Sequence, residues 1–195
     1  MVNCAGFGLV GPAEALDLGE QLAMIDLNVR ALTDLSLRYA ASVVRHRGGI
    51  LNVASLSAFS PAPEMAVYNA TKAFVLSLSE ALHCELAPHG VRVTTLCSGP
   101  VATQFQQRAG IRADLPRTLA RSPESVALAA YRGLMAGKRI VVPGLFNKLL
   151  TLFLRFGPKR VLLPGNQVAM RYSAKPSTKR SFPLFRRSSG GELFR

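Results

Sequence analysis

The chain has few of the residues that build disulfide frameworks or metal sites. Its three cysteines, Cys4, Cys84 and Cys97, are an odd number without the paired spacing of a disulfide scaffold. The three histidines do not group with them, so we expect no metal site. The thiols are expected to be reduced and mostly buried, as in a cytoplasmic protein.

Long apolar runs are also missing. Nowhere do about 18 apolar residues follow one another, the length that a membrane-spanning helix needs. The most apolar stretch, residues 149–154, is short and lies between Lys148 and Arg155. The N-terminus does not show the charged-then-apolar pattern of a secretory signal. With 195 residues, 49% of them hydrophobic, the chain is long enough to bury the core of one domain.

Acidic residues are scarce, and the shortage is concentrated near the C-terminus. Of a net charge of +13, residues 155–195 contribute ten Lys/Arg against the single acid Glu192. Residues 156–195 are also rich in Ser, Pro and Gly, so we expect a largely disordered basic tail. Such a tail can attract nucleic acid or an anionic membrane. We prefer a solvated extension, because no nucleic-acid-binding signature accompanies the charge.

Short apolar runs rich in β-branched residues alternate with segments of helical periodicity. The predicted strands are residues 50–55, 91–97 and 139–142, and the predicted helices are residues 18–46, 65–86 and 123–136. Ser122 is a candidate N-cap for the last helix. Alternation of this kind predicts an α/β fold with a parallel sheet.

One spacing suggests chemistry. Tyr68 and Lys72 stand four residues apart on a predicted helix and so share one face. An ammonium beside a phenol favours the phenolate, which would let the tyrosine exchange protons near neutral pH. Ser55 lies thirteen positions upstream, at the C-terminal end of a predicted strand, where doubly wound sheets bind ligands. A hydroxyl there can hydrogen-bond the same substrate oxygen.

Each of these residues also has an ordinary interpretation. Tyr-x-x-x-Lys pairs occur by chance on solvated helices, and Lys72 could lie over Tyr68 as a surface lysine. Ser55 could only cap the next turn, and Ser57 is a neighbouring alternative. Asn28, in the middle of a predicted helix, could be solvent-facing or locally bonded.

Together with three further segments, these residues resemble the short-chain dehydrogenase/reductase superfamily. The segment of residues 3–6 (Asn-Cys-Ala-Gly) is similar to the family's Asn-Asn-Ala-Gly, with cysteine at the second position. Asn28 falls where the family has its helix asparagine. Residues 98–103 (Ser-Gly-Pro-Val-Ala-Thr) resemble the family's Pro-Gly-Pro-Val-x-Thr segment. The resemblance covers residues 2–155 and implies part of a Rossmann-type, doubly wound parallel sheet.

The resemblance implies an NAD(P)-dependent interconversion of an alcohol and a ketone or aldehyde. Ser55 and Tyr68 would hydrogen-bond the substrate oxygen, Tyr68 as acid or base. Lys72 would bind the nicotinamide ribose, and Asn28 would hold a water in a proton relay. The positions that would contact NAD or NADP are Asn3, Ala5, Gly6, Tyr68, Lys72, Gly99, Pro100, Val101 and Thr103. Ser98 in place of proline would loosen the loop that positions nicotinamide.

The family's glycine-rich turn, which binds the cofactor pyrophosphate, has no counterpart in the chain. We therefore expect either an incomplete record of a longer enzyme, which we favour, or a short protein that lacks half of the cofactor site and is a catalytically impaired fragment or an interaction protein. Residues 104–121 and 145–163 correspond to the family's substrate lid. Their apolar side chains indicate an apolar substrate cavity or simply lid packing. A homo-oligomer is also expected from the resemblance.

Overall fold

The computed structural model describes residues 1–111 and 121–173. Four parallel strands form one sheet in the order β1-β2-β3-β4. Their bounds are Val2–Asn3, Gly49–Val53, Arg92–Leu96 and Ile140–Val141. The central pair, β2 and β3, is in register from Gly49 opposite Arg92 to Val53 opposite Leu96. The structure therefore confirms the partial doubly wound parallel sheet.

Eight α-helices connect and flank these strands within the described residues. Their bounds are Leu18–Ile25 (α1), Leu32–Arg38 (α2), Ala40–Arg45 (α3), Ala66–Leu86 (α4), Phe105–Ala109 (α5), Pro123–Met135 (α6), Leu145–Phe156 (α7) and Lys159–Ser173 (α8). A π-helical turn, Asp26–Ala31, joins α1 to α2, and 3-10 turns form at Leu56–Phe59 and Ala87–His89.

Both faces of the sheet are buried, because helices pack on each side of it. Ile50 of β2 packs with Leu82 of α4, whereas the next residue, Leu51, packs with Val126 of α6. The period of two along a strand accounts for this alternation. The start of α6 follows the predicted N-cap, since the Ser122 hydroxyl accepts a hydrogen bond from the Ser125 amide at 3.3 Å.

The sequence predictions differ from the structure in three places. The predicted single helix over residues 18–46 contains the π-helical turn and a break at Tyr39. The tail was expected to be largely disordered from residue 156, but α8 occupies residues 159–173. It is held by packing of Leu162 and by polar contacts to Glu64 and Ser60. Residues 174–195 lie outside the described residues, as do residues 112–120 of the predicted lid.

The third difference concerns the cysteines. All three are free thiols, as expected, but only Cys97 is buried, whereas Cys4 and Cys84 are exposed. Cys4 lies in the loop after β1, and Cys84 lies near the C-terminal end of α4. Among the described helices, none combines the length and the apolar composition needed to cross a bilayer.

Candidate active site

The candidate site lies at the carboxyl edge of the sheet. Gly6 follows β1, Ser55 follows β2 and Gly99 follows β3, so three strand ends deliver these residues to one edge. This is the edge at which open α/β sheets bind ligands. Helix α4 carries Tyr68 and Lys72 to the same edge.

Asn28 holds the loop after β1 against α4. Its side chain accepts a hydrogen bond from the Phe7 amide (3.1 Å) and donates to the Phe7 carbonyl (2.9 Å) and to Thr71 Oγ1 (3.1 Å). Thr71 in turn donates to the Tyr68 carbonyl at 2.7 Å. Asn28 is 1% exposed and lies inside the π-helical turn, a distortion that often marks functional positions. The solvent-facing interpretation of Asn28 is therefore wrong.

Lys72 is buried and directed toward the ends of the strands. Its Nζ donates a hydrogen bond to the Val53 carbonyl at 2.9 Å and lies 5.8 Å from the centroid of the Tyr68 ring. A β-carbon on Gly6 would lie 2.8 Å from Asn28 Oδ1 and 3.3 Å from Lys72 Nζ. Glycine at position 6 therefore lets the loop approach both side chains. The structure contradicts the surface-lysine interpretation, because Lys72 is only 5% exposed.

Tyr68 is enclosed by apolar side chains. It belongs to a cluster with Phe7, Met24 and Met65, and its ring centroid lies 5.4 Å from that of Phe105. Burial raises the pKa of Tyr68 to about 12, and hydrogen bonding with the Ser55 side chain opposes part of that rise. Burial also lowers the pKa of Lys72 to about 8.

These pKa shifts do not agree with the expected effect of Lys72 on Tyr68. The sequence predicted that the ammonium would favour the phenolate near neutral pH. In the structure, desolvation of the phenol dominates, and the ammonium faces the Val53 carbonyl instead. A Tyr68 pKa of about 12 keeps the phenol protonated at neutral pH.

Ser55 has two roles in the structure. Its Oγ accepts a hydrogen bond from the Ser57 amide at 3.2 Å and so caps the 3-10 turn Leu56–Phe59. The same side chain interacts with Tyr68. Capping and proximity to the phenol are thus compatible rather than alternatives.

The loop of residues 98–103 is held from two directions. The Ser98 carbonyl accepts a hydrogen bond from the Leu56 amide (3.0 Å), and the Val101 carbonyl accepts one from Gln106 Nε2 (2.6 Å). A β-carbon on Gly99 would lie 2.9 Å from the amide of Asn147. The loop is therefore held by hydrogen bonds and packing even with serine at position 98.

Asn3 is turned away from the other candidate residues. Its Nδ2 donates to Asn52 Oδ1 (2.8 Å) and to Ser36 Oγ (3.1 Å), and Asn52 donates to Ser79 Oγ (2.9 Å). This buried network fixes β1 to β2 and to the helices behind them. The Asn3 side chain thus has a structural role.

Sequence reasoning missed three residues of this site. Thr71 links Asn28 to the Tyr68 backbone, Asn147 packs on Gly99, and Gly8 leaves room for two rings. A β-carbon on Gly8 would lie 2.9 Å from Phe105 Cζ and 3.0 Å from Tyr68 Cδ2. The Tyr-Asn-Ala-Thr-Lys segment contained the signal for Thr71, but a threonine inside a helix is ordinary without its partner.

One small cavity lies against Tyr68. A cavity of about 10 Å³, the volume that one water molecule needs, lies between the loop of residues 9–16 and the start of α4. The Phe105 ring packs against Tyr68, with the two ring planes inclined at 47°. Within the described residues, no group of three His, Cys, Asp or Glu side chains is arranged to bind a metal.

Comparison with known proteins identifies the family. The family model described as short chain dehydrogenase matches residues 1–113. The chain belongs to the short-chain dehydrogenase family. It is 35% identical over 108 residues to the NADPH-dependent 1-acyldihydroxyacetone phosphate reductase of Schizosaccharomyces pombe, covering 55% of this chain and 36% of that protein. It is 32% identical over 106 residues to the serine 3-dehydrogenase of Agrobacterium fabrum, covering 54% and 43%.

Solved structures give the same assignment. A short-chain dehydrogenase from Sphingobium yanoikuyae in complex with NADPH matches with a TM-score of 0.70 and 28% identity, over 93% of this chain and 68% of that one. A short chain dehydrogenase from Burkholderia cenocepacia in complex with NADP matches with a TM-score of 0.71 and 26% identity, over 83% and 67%. The chain spans less than half the length of the two curated relatives.

Proposed function

We propose that the chain carries the catalytic residues of an NAD(P)-dependent oxidoreductase that interconverts an alcohol and a ketone or aldehyde. The observation that supports this proposal best is the burial of Tyr68 and Lys72 one turn apart on α4, with Lys72 Nζ 5.8 Å from the centroid of the phenol ring and bonded to the Val53 carbonyl, two residues before Ser55. Two hydroxyls and one ammonium are the groups needed to bind a carbonyl oxygen and protonate it.

The burial of Tyr68 favours its role as an acid, because burial raises the pKa of the phenol. A phenol whose pKa is raised to about 12 is protonated at neutral pH and can act as an acid. Ser55 would donate a second hydrogen bond to the same substrate oxygen. A bound nicotinamide cofactor would supply the hydride. Oxidation of an alcohol would require Tyr68 to lose its proton first, against the cost of burying a phenolate.

The residues at the sheet edge fit the nicotinamide end of such a cofactor. An ammonium has three N–H donors, and Lys72 gives one to Val53, which leaves two for ribose hydroxyls. Because Gly6 and Gly99 have no β-carbon, their loops lie close to Lys72 and Asn147. We propose that the flat nicotinamide ring lies beside these two loops. Ala5, Pro100, Val101 and Thr103 remain proposed contacts. The choice between NAD and NADP depends on residues that would bind the adenosine half.

The substrate is proposed to be a small carbonyl compound or alcohol with apolar substituents. Phe105 and Met170 pack near Tyr68, so a substrate must displace apolar side chains to reach the phenol. A cytoplasmic, homo-oligomeric protein remains our expectation from cysteine content and family resemblance.

The test is turnover of a panel of apolar ketones with NADH or NADPH by a version of the chain extended upstream to include a glycine-rich cofactor turn. Replacing Tyr68→Phe should lower kcat at least about 100-fold, because general acid catalysis contributes that much or more. Tyr131→Phe, the same change at a residue 58% exposed on α6, is the control and should leave kcat unchanged. Normal turnover by Tyr68→Phe would contradict the proposal.

The second candidate function is that of an interaction protein with an impaired cofactor site. The observation that favours it is that β1, the outermost strand of the described sheet, has two residues and that Val2 is 61% exposed. Unpaired strand edges attract other chains. Titration of NADH and NADPH into the chain separates the two candidates, since micromolar binding of either cofactor would exclude an impaired site.

A further inference from the structure

Helix α7 has an apolar face that is open to solvent in the part of the chain that the structure describes. Its side chains recur on one side of the helix and are each between 52% and 75% exposed. They are Leu145, Phe146, Leu149, Leu152, Phe153 and Phe156. We call these six residues the outer face of α7. An amphipathic helix in a folded protein normally buries such a stripe.

The outer face points away from the candidate active site. The opposite side of α7 carries Asn147, which is 9% exposed and lies against Gly99 in the loop after β3. Asn147 also donates a hydrogen bond to the Pro143 carbonyl at 2.8 Å, which fixes the start of the helix. The inner side is therefore committed to the sheet edge, and the outer face is free to meet another surface.

Positive charge surrounds this apolar face. Lys148 and Arg155 are exposed on α7, and Lys159 and Arg160 are exposed at the start of α8. Within residues 1–111 and 121–173, none of these four cations forms an ion pair. Between Glu124 and Glu192 the sequence contains thirteen Lys/Arg and no acidic residue at all. The surface thus combines large apolar side chains with unneutralised cations.

We propose that the outer face of α7 docks the protein on an anionic lipid bilayer. The apolar side chains would enter the boundary between headgroups and acyl chains, and the four cations would bind anionic headgroups. A helix of 12 residues is about 18 Å long and cannot span a hydrocarbon core of about 30 Å, so it lies along the interface.

Other occupants fit the chemistry less well. If two copies of the chain met through their outer faces, the four cations beside one face would lie near the same four cations of the other copy. A nucleic acid would neutralise the cations but leave six large apolar side chains in water. An anionic bilayer satisfies both components of the surface at once, because it offers negative headgroups above an apolar interior.

The test uses co-sedimentation of the full chain with vesicles of phosphatidylcholine alone or mixed with phosphatidylglycerol. Binding should require the anionic lipid and weaken with salt. Leu149→Ser together with Phe153→Ser should weaken it roughly tenfold or more, since each buried methylene group contributes to interfacial binding. The control pair, Leu128→Ser with Tyr131→Ser, changes exposed apolar residues of α6 and should have less than about a twofold effect.

A second variant reports on α7 without disrupting it. The chain contains no tryptophan, so Phe153→Trp provides a single probe on the outer face. Its fluorescence should shift to the blue with anionic vesicles, whereas Leu128→Trp on α6 should not respond. No shift at position 153, or equal shifts at both positions, would overturn the proposal.

A third variant separates the helix from the basic tail. It changes five tail cations to glutamine in the full chain: Lys175, Lys179, Arg180, Arg186 and Arg187. Retained binding with an unchanged blue shift of Phe153→Trp supports docking through α7. Complete loss of binding in the tail variant, or full binding by the serine pair in α7, would show that the tail alone holds the lipid and would refute the proposal.

Discussion

Replacement of Asn28 by alanine tests the connection on which the site geometry depends. The side chain is 1% exposed and makes three hydrogen bonds, two to the Phe7 backbone and one to Thr71. Asn28→Ala leaves the Phe7 amide and carbonyl without their partner. Thr71 keeps its own bond to the Tyr68 carbonyl. An unsatisfied buried polar group costs about 1–3 kcal/mol, so two groups predict a loss of about 2–6 kcal/mol.

The assay is urea unfolding of the 195-residue chain followed by far-UV circular dichroism. Asn166→Ala is the matched control, because Asn166 also makes two hydrogen bonds but near the surface, to Ser60 and Pro61. It should cost no more than about 1 kcal/mol. Thr71→Val, alone and combined with Asn28→Ala, measures the coupling between the two side chains. A loss below about 1 kcal/mol for Asn28→Ala, or strictly additive effects, would refute the reasoning.

Three further changes test other parts of the structure. Burial lowers the pKa of Lys72 to about 8 from its ordinary value of 10.5. Between these two pH values Lys72 binds fewer protons in the folded chain than in the unfolded chain, so its contribution to stability should rise with pH. From pH 8 to 10.5 the unfolding free energies of the chain and of Lys72→Met should therefore diverge by on the order of 3 kcal/mol. Arg171→Gln removes the 3.0 Å ion pair with the mostly buried Glu64 and should lower the free energy of local unfolding of α8 by about 1 kcal/mol. This loss would be seen as faster amide exchange over residues 159–173 and nowhere else. Gly99→Ala should cost about 1–3 kcal/mol through its clash with Asn147, and Asn147→Ala in the same chain should recover most of that loss.

Local patterns were sufficient for the elements that carry the site. The apolar runs predicted β2 and β3 to within two residues at each end. These predictions succeeded because periodicity and strand-end position are properties of short segments. Ser122 was a correct N-cap for the same reason.

Contacts between distant segments were not predictable from such patterns. Asn28 bonds to Thr71 across 43 positions, and Arg171 pairs with Glu64 across 107. The helix α8 was expected to be disordered because its composition is basic, yet those distant contacts give it a partner surface. The pKa of Tyr68 was predicted in the wrong direction, because sequence spacing shows a neighbouring charge but not the depth of burial.

The ionisation of Tyr68 tests most directly the central claim, that the Ser55 side chain interacts with a buried Tyr68. Tyrosine 13Cζ resonances can be followed by NMR as pH rises, and the four tyrosines can be assigned by single replacements with phenylalanine. Tyr68 should titrate near pH 12, and Ser55→Ala should move its pKa higher, because the hydrogen bond that lowers it is lost. A Tyr68 pKa near the ordinary value of 10, unchanged by Ser55→Ala, would contradict the account.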